Sequence, residues 1–165
     1  MKKKYWTLAF LVSLCCLWLA NSILHPALRI PPQLTFQDIQ GNSWSLAELR
    51  GKPVLITFWA STCSACIREI PDLIRLHQDL SPAGFQIIAV AMAYDPPNRV
   101  VETARNWKMP YPVVLDLNWN LAETFGKIEQ IPANFLLGPK GSIALRRIGQ
   151  IDPQRVRTLV LNMLN

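Results

Sequence analysis

Residues 54–66 read VLITFWASTCSAC, an apolar, β-prone run that closes on two cysteines separated by two residues. The near-continuous hydrophobicity of Val54 to Trp59, with Thr57 the one polar residue, fits a central strand buried on both faces. Downstream, Ile67, Ile70, Leu73, Ile74, Leu76 and Leu80 recur at mainly helical spacing, so a helix is expected over Ser64 to Leu80, with a kink at Pro71. Cys63 and Cys66 thus stand where a strand hands over to a helix. A helix start carries unpaired N–H groups and a partial positive charge, both of which favour thiolate over thiol. Cys63 is therefore the expected nucleophile. Cys66, three residues on, shares its helical face and is close enough to join it in a disulfide. A CxxC in this setting reads as redox chemistry.

Other uses of the pair fit less well. A structural zinc site needs about four ligands, yet His25 and His77 are the only histidines and neither has ligand spacing to the pair. A purely structural disulfide closing so short a loop adds little chain-entropy stabilisation. Copper(I) held by two thiolates is chemically reasonable and stays as an alternative.

Upstream, Lys2, Lys3 and Lys4 precede a stretch from Tyr5 to Leu28 without Asp, Glu, Lys or Arg. About 20 apolar residues span a bilayer as a helix, and the flanking lysines place the N-terminus in the cytoplasm. The expectation is a single-pass anchor in residues 5–24, with the remainder exported. A cleaved signal peptide, with Ala20 and Ser22 near the cut, is the competing reading. Cys15 and Cys16 fall inside the span and read as apolar helix residues. The expected organisation is a lysine stub and anchor over 1–28, a proline-bearing linker over 29–33, and one domain over 34–165.

The chain's formal charge is +6. From residue 29 onward there are 14 basic residues (the 17 of the chain less Lys2, Lys3 and Lys4) against 11 acidic ones, a balance of +3. The basic residues are scattered, which is no nucleic-acid footprint.

Within the domain, LTFQDIQGNSWSL reads as a β-hairpin turning at Gln40-Gly41-Asn42, and Ser45 as the cap of a short helix reaching Leu49. FQIIAVAMAY is a second buried strand, ended by Asp95-Pro96-Pro97. Helices are expected over Asn98–Trp107 and Asn118–Phe125, a short strand over 111–116, and a strand pair over 134–138 and 142–149. Asp152 caps a last helix that starts at Pro153. Alternating strands and helices followed by a hairpin argue an α/β layered sheet with helices on both faces.

Several motifs in order resemble the thioredoxin superfamily, and more closely the TlpA-like and ResA-like membrane-anchored thiol–disulfide oxidoreductases. FWASTCSAC is similar to the family's FWAxWCxxC, GNSWSLAELRGKPVLITFW to its lead-in, VAMAYDPPNRVVETARNWKMPYPVVLD to its central insertion, and IPANFLLGPKG to its cis-proline loop, strand and turn. The resemblance covers about residues 34 to 164. It implies a thioredoxin fold, a central mixed sheet flanked by helices, with an N-terminal hairpin extension and a central insertion. It implies that Pro132 is cis and that Ile131 and Pro132 position a bound substrate chain, with Trp59 packed beside the cysteines. Glu69, which shares a helical face with Cys66, matches an acidic residue that tunes thiol pKa; it is a candidate proton acceptor, against the plainer reading of a surface carboxylate. Beyond the redox-active cysteine pair the resemblance implies no cofactor and no metal. Implied partners are an exported protein disulfide, apocytochrome c among the compatible substrates, and a membrane electron donor of the DsbD or CcdA kind. The resemblance implies a monomer tethered to the outer, periplasmic face of the bacterial cytoplasmic membrane.

The departures from the family pattern lie at the site. Thr62 stands where Trp is usual, Thr57 where thioredoxins bury an Asp, Ser64-Ala65 between the cysteines, and Ala133 where Thr often follows the cis-proline. Each bears on redox potential, so an oxidase or isomerase on the same fold remains an alternative to a reductase. Copper-delivery relatives use CxxxC with a distant His. A peroxidase would want Thr or Ser where Ala60 stands.

Overall fold

Strand β3 (Val54–Trp59) occupies the middle of a five-stranded sheet, and all six of its residues are buried. The computed structural model describes positions 13 and 15 and residues 30–164. The strand order is β5–β4–β3–β6–β7, with β4 (Gln86–Ala91) and β5 (Val113–Leu115) parallel to β3, β6 (Ala133–Leu137) antiparallel to β3, and β7 (Ile143–Ile148) antiparallel to β6. Parallel neighbours need long crossovers. Helix α1 (Ser64–Leu80) joins β3 to β4, and helix α2 (Pro97–Asn106) joins β4 to β5. Helix α3 (Asn120–Thr124) follows β5, and α4 (Pro153–Leu164) ends the fold.

The alternation of side chains across each strand divides the core in two. Leu55, Trp59, Ile87, Ala89, Ala91 and Leu136 face α1, α2 and α4. Val54, Ile56, Phe58, Ile88, Val90, Phe135 and Leu137 face the other side, where α3, the N-terminal hairpin and the segment around Phe125 cover them. Helices thus lie on both faces, as expected, with three on one side and one short helix on the other. Ile30 already packs against the second cluster. Phe58, Phe125 and Phe135 form an edge-on trio there, with ring centroids 5.0–6.0 Å apart.

The hairpin is β1 (Thr35–Gln37) against β2 (Ser43–Ser45). Its continuation covers the β5 edge. The Ile39 N–H donates to the Val113 carbonyl at 2.8 Å, and Asp38 bridges Val114. The opposite edge, β7, carries Arg146 and Arg147 and pairs with β6 through a bulge between Leu136 and Leu137.

Helix α1 has the expected bounds and runs through Pro71, which has no N–H to offer the carbonyl of Ile67. Two short helices differ from expectation. Over Ser45 to Leu49 the chain makes turns instead of a helix. Ser45 and Glu48 do exchange the reciprocal bonds of a capping box. But the Arg50 N–H bonds back only three residues, to Ala47, and Gly51 leaves at φ +86°. There is no room for a propagating turn. Helix α3 starts at Asn120 because Asp116 takes the N–H groups of Leu121 and Ala122, and Trp119 sits at φ +62°. No helix among the described residues is long and apolar enough to cross a membrane, and apart from positions 13 and 15 the expected anchor over 5–24 lies outside the described residues.

Candidate active site

The two cysteines form a disulfide at the mouth of α1, with their Cα atoms 5.2 Å apart. Cys63 is the N-cap residue, in extended conformation, and its sulfur accepts the Cys66 N–H at 3.1 Å. The first turn of α1 contains no acidic side chain. Nothing there opposes the positive end of the helix, which favours negative charge on the Cys63 sulfur. Cys63 is half-buried and Cys66 is 2% exposed. One sulfur is therefore open to a reactant and the other is held behind it.

The loop carrying Cys63 is pinned from β4's side. Asp95, itself buried, accepts the Ser61 N–H at 2.5 Å and the Ser61 hydroxyl at 2.6 Å. The sequence marks Asp95 only as the end of a strand. The clamp joins residues 34 apart, and no local pattern announces it.

The Ile131–Pro132 bond is cis, as the resemblance implies. Pairing of Phe58 with Ala133 sets Pro132 at the C-terminal end of β3, the end from which the Cys63 loop departs. The Pro132 carbonyl accepts the Gly149 N–H at 2.7 Å, and Gly149 turns at φ +93°, a conformation that suits glycine. Ile131 and Cys63, both half-buried, pack against the core cluster that contains Trp59 and Cys66. Trp59 is 4% exposed.

Glu69 is no surface carboxylate. It is 3% exposed, accepts the Ile151 N–H at 2.6 Å, and lies 3.4–3.5 Å from the Asn134 amide nitrogen. Asn134 also donates to the Gly149 carbonyl, tying the carboxylate to the cis-proline side of the sheet. Asn134 was not foreseen as a site residue; it lies 65 positions from Glu69. Burial raises the Glu69 pKa above the ordinary carboxylate value, the bonds from Ile151 and Asn134 pull it down less, and Asp72 adds a small upward push. A carboxyl with a raised folded-state pKa binds more protons folded than unfolded, so its contribution to stability is full below the unfolded value and is lost as pH rises through the folded one. Glu69→Gln removes that loss. Urea unfolding of the oxidised protein should therefore show the variant gaining on the wild type steadily from about pH 4 upward; a difference that stays flat with pH would contradict a raised Glu69.

Residues 29–146 match the AhpC/TSA family. The chain belongs to that family. It is 32% identical over 120 residues to the thiol-disulfide oxidoreductase ResA of Halalkalibacterium halodurans, an alignment covering 73% of this chain and 67% of the relative. The chain spans about two thirds of the length of the ResA relatives it matches. Among solved structures, the thioredoxin domain of a thiol-disulfide oxidoreductase from Bacteroides vulgatus superposes with a TM-score of 0.70 at 26% identity, over 82% of this chain and 99% of that one. A Neisseria meningitidis protein named as a candidate thioredoxin gives 0.76 at 29% identity, over 82% and 89%. The TlpA-like and ResA-like resemblance and the thioredoxin fold read from the sequence both hold, and the enzyme class read there, thiol–disulfide oxidoreductase, is the one these family members carry.

Proposed function

We propose that the protein is a membrane-tethered, extracytoplasmic thiol–disulfide oxidoreductase that reduces disulfides of exported proteins. The observation that carries this reading is the accessible Cys63 at the helix mouth, bonded to a buried Cys66 and set on the sheet end that also bears the cis Ile131–Pro132 bond. Thiol–disulfide exchange needs an exposed attacking sulfur and a second sulfur in reserve. In the reduced protein the Cys63 thiolate attacks a substrate disulfide, forms a mixed disulfide and releases one substrate thiolate. Cys66 gives its proton to Glu69 and attacks the Cys63 sulfur. The Cys63–Cys66 bond forms, the bond to substrate breaks, and the second substrate sulfur leaves as thiolate. Two electrons pass from the cysteine pair to the substrate. Ile131 and Pro132 position the substrate chain, and Trp59 backs the pair.

Tethering rests on the three lysines and the uncharged stretch of residues 5–28. Reduction outside the cytoplasm requires renewal of the dithiol, which we assign to a membrane electron donor of the DsbD or CcdA type. The deciding experiment equilibrates the purified protein with defined thiol buffers. A reduction potential of about −270 to −220 mV, in the thioredoxin and glutaredoxin range, is expected. A value near about −120 mV, that of a strong oxidant, would reverse the direction of electron flow.

A further inference from the structure

Six large hydrophobic side chains are exposed among the described residues, and four of them stand at one end of the sheet. Tyr94 follows β4, Leu117 and Trp119 follow β5, and Ile148 closes β7. This is the end of β3 from which the Cys63 loop departs. Trp59 pairs there with Ala91, Ala91 with Leu115, and Ala133 with both Phe58 and Ile148. Of the other two, Trp107 caps the C-terminal end of α2 and Leu161 lies on α4. Exposed apolar residues scattered singly are ordinary; gathered in one place they mark a surface that meets something.

Tyr94 and Trp119 make a pair within this group. They are 54% and 43% exposed, and their ring centroids lie 5.8 Å apart, tilted by 42°. That is the spacing of interacting aromatic rings. Trp119 reaches it from φ +62°, a backbone conformation that bulky residues seldom adopt. Both rings are carried on anchored loops. Asp95, the residue after Tyr94, clamps Ser61 of the Cys63 loop. The Asp116 carbonyl accepts the Trp119 N–H, and its carboxylate takes the Leu121 and Ala122 N–H groups. The two acidic groups of these loops are thus engaged by the protein's own donors. The face between them presents rings and not charge.

We infer that Tyr94 and Trp119 form a docking platform for an aromatic or large aliphatic side chain of the client, a few residues from the client's cysteine. This rests on the oxidoreductase reading and adds to it the class of client segment taken. The cis Ile131–Pro132 bond lies on the β6 side of Cys63, and the platform lies on the β4 and β5 side. A client chain held at Pro132 and bonded to Cys63 therefore continues over the rings. Neighbouring strands lie about 4.8 Å apart, so β5 ends about 10 Å from β3, a distance that an extended chain covers in about three residues. A folded client buries its large apolar side chains. The platform accordingly selects disulfides that lie in unfolded segments.

The test uses reduced full-length protein and short peptides whose single cysteine is joined to a coloured aromatic thiol. The Cys63 thiolate attacks the peptide sulfur; the Cys63–peptide bond forms, the aryl disulfide breaks, and the coloured thiolate leaves. Paired peptides carry Trp or Gly about three residues before the cysteine, or about three after it. On one side only, the Trp peptide should react about tenfold faster than its Gly partner at low concentration, the effect of one buried aromatic contact. The advantage should lie in the peptide concentration giving half-maximal rate, not in the maximal rate, and should survive high salt. Trp119→Gly removes the ring while suiting the positive φ. It should abolish the advantage, and Tyr94→Ala should reduce it. Trp107→Ala, which removes an exposed ring elsewhere, should leave it unchanged. A wild type without preference, a preference equal on both sides, one that survives Trp119→Gly, or one lost equally in Trp107→Ala overturns the platform. So does a wild-type dimer that Trp119→Gly disperses with the preference intact, which would assign the rings to a second copy of the chain. Should Tyr94→Ala fail to fold, Trp119→Gly decides. Absence of colour from every peptide would instead sink the oxidoreductase reading itself.

Discussion

Replacing Cys63 by Ser should abolish disulfide exchange, down to the rate seen without protein, a loss of several orders of magnitude. Replacing Cys66 by Ser should stop the reaction one step later, with substrate held covalently on Cys63. The two outcomes differ because the two sulfurs are buried to different degrees: Cys63 is half-buried at the helix mouth, and Cys66 is 2% exposed beneath it. A disulfide on a folded or unfolded client can reach only the former. Once joined to it, the client can be released only by a thiolate already in contact with that sulfur, and serine in place of Cys66 supplies a hydroxyl that does not cleave disulfides. Mass spectrometry of the adduct, without reductant, locates the bond. An adduct on Cys66 in the Cys63→Ser protein would reverse the assignment of nucleophile and resolving thiol.

The second large effect concerns stability. Phe58→Ala should remove about 3–5 kcal/mol, a large share of the roughly 5–15 kcal/mol that holds a domain together. Phe58 is fully buried and touches both Phe125 and Phe135 edge-on, at 5.3 and 6.0 Å. Truncation discards the ring's burial and both aromatic contacts, and leaves a void that a β-strand locked between two neighbours cannot collapse to fill. Urea unfolding of the oxidised protein should show a lower midpoint with an unchanged slope. A loss below about 1 kcal/mol, the level of an ordinary surface or isosteric change, would mean that this side of the sheet is far more plastic than its packing indicates.

What was readable in the sequence was what local pattern encodes. Val54–Trp59 is apolar at every position but Thr57, and a strand buried on both faces has to be; Ser64–Leu80 repeats its apolar residues at the helical period. Those two segments fix the place of both cysteines. The reading faltered where structure depends on distant partners. Residues 45–49 carry a good helix start but are cut short at Gly51, whose N–H bonds to the Pro139 carbonyl. Helix α3 begins where the carboxylate of Asp116 dictates, not where periodicity suggests. At the site, Glu69 was placed on the right helical face, but its burial comes from Ile151 and Asn134, 82 and 65 residues away. Asp95 was passed over for the same reason: it reads as the end of a strand, and the Ser61 it clamps lies 34 residues away.

The two margins of the sheet have a bearing on the company this protein keeps. On the function proposed above, the protein would handle partly unfolded clients, whose extended segments readily add to any unpaired strand. On one margin the hairpin lies across β5 through the Ile39 and Asp38 contacts. On the other, β7 presents Arg146 and Arg147 beside a bulge. Covered backbone, charge and local irregularity are three ways of refusing a further strand. On that proposal a client would be met at the Cys63 sulfur and not along a hydrogen-bonded rim.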